Sequence, residues 1–101
     1  TISGNTFTAT RQEAIKAVGD SNHRISITGN TVFNASSEKP GAFCAFFLEN
    51  PAFCMVTNNI IHDEQQREAT SLPAICLEGT GAPTENTVHD NLISGYGSTG
   101  T

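Results

Sequence analysis

The chain has 101 residues, with Lys+Arg 5 against Asp+Glu 10 and a formal net charge of −5. That length bounds the answer at one domain. The acidic balance excludes the basic stripe that non-specific binding to nucleic acid or anionic lipid requires. Thr (13), Asn (9), Gly (9) and Ser (8) together outnumber Ala (10), Leu (4), Glu (7) and Lys (2), on which a helical bundle would draw. No apolar run approaches the length of a membrane-spanning helix, so no membrane insertion is expected.

In chain order, two motifs alternate. Ile2-Ser3-Gly4-Asn5-Thr6-Phe7 opens the first: an aliphatic residue stands three before an Asn, and an apolar residue stands two after it. Ala14-Ile15-Lys16-Ala17-Val18-Gly19 follows, with the period-two alternation of a strand that buries one face. The first motif returns as Ile27-Thr28-Gly29-Asn30-Thr31-Val32, and the second as Ala45-Phe46-Phe47-Leu48-Glu49-Asn50. Val56-Thr57-Asn58-Asn59-Ile60-Ile61 and Ala74-Ile75-Cys76-Leu77-Glu78-Gly79 make the third round, and Val88-His89-Asp90-Asn91-Leu92-Ile93 begins a fourth. Gly4, Gly29, Asn58 and Asp90 precede the motif Asn, and all tolerate left-handed or turn backbone. The motif asparagines are 25, 29 and 32 residues apart.

Short strands repeating at this period without helices fit a parallel β-solenoid, in which each coil stacks about 4.8 Å from the last. Asn5, Asn30, Asn59 and Asn91 are then the expected ladder: an Asn at the same bend of every coil bonds the backbone of its neighbours. The I-x-G-N-x-x-F/I rhythm, which covers nearly the whole chain, resembles the right-handed parallel β-helix of the pectate-lyase-like superfamily. The expected fold is therefore all-β, a right-handed parallel β-helix of about three to four coils. Pectate and pectin lyases, polygalacturonases, alginate epimerases and phage tailspike depolymerases share that fold. The resemblance implies carbohydrate processing, but the chain has no Asp-Asp ligand cluster, no Arg-x-Pro-x-x-Arg and no Asp-Pro-His-Asp. Free cysteines and acidic Asn/Thr/Gly-rich coils resemble a tailspike most. That resemblance implies a virion appendage or extracellular site, a bacterial surface polysaccharide as partner, and a homotrimer.

Candidate site residues come from register and from the loops. Glu49 and Glu78 occupy one register on consecutive coils, opposite in parity to the buried Leu48 and Leu77. They should face outward about one rung apart, the separation of a retaining glycosidase pair, and like charges so close raise one carboxyl's pKa. The same pair also suits cation binding, pairing with Lys16 or Arg67, or plain solvation. The loop His62-Asp63-Glu64-Gln65-Gln66-Arg67-Glu68 holds an imidazole, three carboxylates and a guanidinium. Asp63 and Glu64 are its candidate acid and base, and Arg67 and His62 its candidate substrate contacts. A solvated surface loop is the competing reading. Phe43, Phe47 and Phe53 are expected outward; Phe47 is the candidate sugar platform, though core or subunit-interface roles suit phenylalanine better. Tyr96, in a Gly-rich tail, reads as a flexible or interface residue.

Cys44, Cys54 and Cys76 are odd in number and lack C-x-x-C spacing, so no metal or other cofactor is expected. All three lie in apolar stretches and read as reduced, small apolar residues, which suits synthesis in a reducing cytoplasm. Open terminal coils need caps, and none is visible here. Residues 1–101 are thus expected to be a single β-helix segment of a longer chain, completed by another β-helix fragment or by symmetric partners. The rival expectation is a non-catalytic scaffold or assembly module of a viral appendage.

Overall fold

The computed structural model describes residues 1–65, 72–79 and 85–96. All regular structure among them is β: β1 (Ile2–Ser3), β2 (Thr6–Thr8), β3 (Ile15–Ala17), β4 (Asn22–His23), β5 (Ser26–Thr28), β6 (Thr31–Phe33), β7 (Phe46–Glu49), β8 (Pro51–Ala52), β9 (Met55–Thr57), β10 (Ile60–His62), β11 (Ile75–Glu78), β12 (Thr87–His89) and β13 (Leu92–Ser94). Every pairing is parallel and joins equivalent strands of successive repeats. The first sheet runs β1-β5-β9-β12, the second β2-β6-β10-β13, the third β3-β7-β11 and a small fourth β4-β8. Each repeat visits the sheets in the same order, an arrangement compatible with a β-solenoid.

The register follows the sequence motifs. Ile2, Ile27, Val56 and Val88 align in the first sheet; Phe7, Val32, Ile61 and Ile93 align in the second. Ile15, Phe46 and Ile75, then Ala17, Leu48 and Leu77, align in the third. Ile27, Val56, Val32, Ile61, Phe46 and Leu48 are fully buried and share one hydrophobic cluster, so the inner faces of three sheets meet in one core. Burial of each such side chain stabilises by about 1.5–3 kcal/mol. Tyr96 joins that cluster at 1% exposed, which corrects its reading as a flexible or interface residue: its ring packs inward just after β13.

The bend between the first two sheets carries the asparagines. Gly4, Gly29, Asn58 and Asp90 all have φ between 57° and 69°, the left-handed turn that glycine, Asn and Asp accept. The next residue points its amide along the stacking direction. Asn30 Oδ1 accepts from Asn5 N–H (3.0 Å) and Asn5 Nδ2 (3.2 Å). Asn59 Oδ1 takes the same two bonds from Asn30, at 2.9 and 3.1 Å, and Asn91 Oδ1 from Asn59, both at 3.0 Å. In return, Nδ2 of Asn30, Asn59 and Asn91 donates to the carbonyls of Ile2, Ile27 and Val56 in the preceding repeat. Each bond removes a backbone orphan at a bend that has no ladder of its own.

A second bend leads into the third sheet. Ala14 and Ile15 N–H both donate to Ala45 O, and Ala45 and Phe46 N–H both donate to Ala74 O. Ala45 and Ala74 are fully buried there, which leaves no room for a larger side chain.

Cys44 and Cys76 form a disulfide with Cα atoms 6.2 Å apart, and Cys54 is buried and free. This corrects the expectation of three reduced cysteines, and the inferred reducing cytoplasm loses its support. The pairing escapes register counting because Cys76 lies opposite Phe47, three residues from Cys44; the chain bends before β7 and brings Cys44 back toward β11.

Asn59→Ala would remove the acceptor of the Asn30 N–H, one bond of the Asn30 side-chain amide and the side-chain donor to the Ile27 carbonyl, all in a buried setting. It should cost about 2–4 kcal/mol, against under about 1 kcal/mol for the end member Asn5→Ala. Urea midpoints of the two variants measure the difference. Reduction of the disulfide, whose cysteines are 32 residues apart, should cost about 3–4 kcal/mol in the same assay.

Candidate functional site

The outer face of the third sheet carries the paired glutamates. Glu49 ends β7 and Glu78 ends β11, and the two are direct partners in register. Glu49 is not simply turned to solvent. Its Oε1 accepts the N–H of Gly19 at 2.8 Å, and its carbonyl accepts Asn22 Nδ2 at 2.6 Å. Asn50 Nδ2 donates to Gly19 O at 2.7 Å, so Glu49 and Asn50 together clamp the turn after β3. Glu78 is exposed. A carboxylate held by a backbone N–H has a fixed orientation, which serves either a catalytic group or a structural clamp.

Lys16, Phe47 and Cys76 form the neighbouring outward row. Lys16 Nζ lies 5.9 Å from the Phe47 ring centroid, a cation–π contact, and Cys76 is committed to the disulfide. Phe47 is half-buried between them and offers a smaller platform than an open aromatic would. Phe53 is exposed, with the Arg24 guanidinium 5.8 Å from its centroid.

The loop after β10 separates its own candidates. Asp63 is 3% exposed, and its Oδ1 accepts Gln65 N–H (2.6 Å) and Gln65 Nε2 (3.2 Å). Its carboxylate therefore builds the turn and is withdrawn from solvent. Gly95 packs so tightly here that a Cβ on it would lie 1.9 Å from the Asp63 carbonyl oxygen. The Glu64 side chain is 75% exposed, and its N–H donates to Asn34 Oδ1 at 2.8 Å. Arg67 lies outside the described residues. His62 ends β10 of the second sheet, with Glu64 in the loop that follows, and Glu49 and Glu78 end strands of the third, so the structure gathers the candidates into two groups on different sheets.

Two features were beyond sequence reasoning. Ser94 is the register partner of His62, and its Oγ lies 2.6 Å from His62 Nδ1. His62 Nε2 lies 3.3 Å from Glu64 Oε1, and the ring meets Phe33 edge-on with centroids 6.2 Å apart. Asn86 repeats the ladder bond at a different bend: its Oδ1 accepts Cys54 N–H at 3.0 Å and its Nδ2 donates to Pro51 O at 3.2 Å. The preceding repeats hold Cys54 and Ile25 at that position, so no repeated Asn marks the bend in the sequence. Among the described residues, no group of three or more His, Cys, Asp or Glu is placed to hold a metal ion.

Arg11, Gln12 and Glu38 tie the loops after β2 and β6 together. The hydrogen bond from Gln12, then the bond and charge of Arg11, hold the Glu38 carboxyl below its ordinary value. A depressed carboxyl pKa contributes stability above the unfolded-state value and loses it as pH falls through the folded value. The pair lies at the surface, so salt screens it. Compared with protein-family models, curated proteins and solved structures, the chain finds no match.

Glu38→Gln should therefore lower stability slightly at neutral pH. The difference from the wild type should vanish in acid, below the ordinary carboxylate range, and shrink in high salt. Thermal melts across pH at two salt concentrations read this directly.

Proposed function

We propose that the chain is a stretch of right-handed parallel β-helix, three coils and the start of a fourth, from a protein that binds and cleaves a bacterial surface polysaccharide. The right hand follows the rule for parallel crossovers, which are right-handed in about 98% of cases. The reading rests on one observation: Glu49 and Glu78 in direct register on an outer sheet face. Strands about 4.8 Å apart put the two carboxyls within reach of the spacing of about 5–5.5 Å that a retaining glycosidase uses. In that chemistry Glu78, the exposed member, is the acid/base, and Glu49, oriented by Gly19 N–H, is the nucleophile.

The second reading is a non-catalytic scaffold or assembly module of a viral appendage. Its support is specific: the Glu49 carboxylate already satisfies a backbone N–H, and Phe47 is packed under Lys16. Ile60 and Leu92, exposed and adjacent in register on the second sheet, suit lateral packing against further copies in a trimer.

In the intact parent protein, Glu49→Gln and Glu78→Gln should each abolish depolymerisation of the polysaccharide while leaving the β circular dichroism spectrum unchanged. Full activity in both variants, with a trimer by light scattering, would leave the scaffold.

A further inference from the structure

Ser94 and His62, partners on the second sheet, and Glu64, in the loop after β10, have the connectivity of a nucleophile, its base and an orienting acid. A carboxylate only accepts hydrogen bonds, so the bond of 3.3 Å at Glu64 Oε1 requires a proton on His62 Nε2. In the neutral imidazole, Nδ1 is then the acceptor, and the 2.6 Å contact is Ser94 O–H donating to it. The hydrogen bonds thus select the tautomer that activates a serine hydroxyl.

The arrangement is held by backbone as well as side chains. His62 and Ser94 are direct partners on β10 and β13. Asp63 N–H donates to Ser94 O at 3.0 Å, Asn34 N–H to His62 O at 2.9 Å, and Asn34 Oδ1 accepts Glu64 N–H at 2.8 Å. Three backbone ties fix three functional residues, as a preorganised site needs. Ser94 is exposed, so an ester on an extended polymer can reach it. The N–H of Gly95, one residue on, has no acceptor among the described residues and is the oxyanion donor we assign.

We propose that Ser94, His62 and Glu64 hydrolyse simple acyl esters of alcohols. Ser94 Oγ attacks the ester carbonyl carbon, an O–C bond forms, and the hydroxyl proton passes to His62 Nδ1. The tetrahedral species collapses, the carbonyl–alkoxy bond breaks, and His62 returns its proton to the departing alkoxide. Water, deprotonated by His62, then attacks acyl-Ser94; the Oγ–acyl bond breaks, Ser94 regains the proton, and a carboxylic acid leaves. Glu64 is a positioning residue: it touches the imidazole and not the ester.

The site is independent of Glu49 and Glu78, so the glycosidic reading and this one fail separately. The test is hydrolysis of p-nitrophenyl acetate by the full chain, together with labelling by a fluorophosphonate. Ser94→Ala and His62→Ala should each lower kcat/KM at least about tenfold. Glu64→Gln should lower kcat with KM unchanged, and mass spectrometry should find the phosphonyl group on Ser94. A wild-type rate no faster than free imidazole at equal concentration would overturn the proposal. So would a Ser94→Ala rate equal to that of the wild type, or an unlabelled Ser94.

Discussion

The stack of asparagines at one bend is the constraint on which the rest of the molecule depends. Parallel strands two to four residues long carry too few ladder bonds to fix their own register, and a bend between sheets leaves its peptide groups outside both ladders. Asn5, Asn30, Asn59 and Asn91 meet both needs at once. From Asn30 on, each amide accepts from the backbone and side chain of the preceding ladder member and donates to the carbonyl of the aliphatic residue in the preceding repeat. A slip of one residue would break these bonds together and turn the inward Ile27, Val32, Val56 and Ile61 outward. Asn30 and Asn59 are buried, so their bonds are made where an unpaired amide is most costly.

Register then determines what the outer faces display. With the inner positions assigned to aliphatic residues, alternate positions form outward rows along the stack. Lys16, Phe47 and Cys76 make one row, Glu49 and Glu78 end another, and Thr8, Phe33, His62 and Ser94 make a third. Side chains far apart in sequence become neighbours in such rows, and their contacts give each row its chemistry. The Ser94–His62 bond spans 32 residues, the separation of Asn59 from Asn91 in the ladder.

The parts of this architecture that repeat were legible in the sequence. The aliphatic–Asn–apolar rhythm locates the bends, and the alternation in 46–49 and 75–78 locates the third sheet and its outward glutamates. What does not repeat was hidden. Cys44 pairs with Cys76 across a bend, three residues out of register, so counting positions cannot find the bridge. Asp63 sits among polar residues yet is buried, because the turn it builds with Gln65 folds beneath Gly95. Tyr96 reads as a flexible or interface residue in its glycine-rich setting, but its ring, directly after β13, joins the hydrophobic core. Ser94 carries no signal alone; only its pairing with His62 gives it one.

The central claim is that the asparagine bonds, and not strand pairing alone, hold the repeats in register. Amide hydrogen exchange resolved by NMR tests it most directly, because the backbone N–H groups of Asn5, Asn30 and Asn59 are bonded only to side-chain oxygens of the next ladder member. The N–H groups of Asn30 and Asn59 should exchange as slowly as those of the buried strand residues Ile27 and Val32, with Asn5 faster at its more exposed position. Exchange at Asn30 and Asn59 as fast as in the exposed loops, while the strands stay protected, would contradict the account.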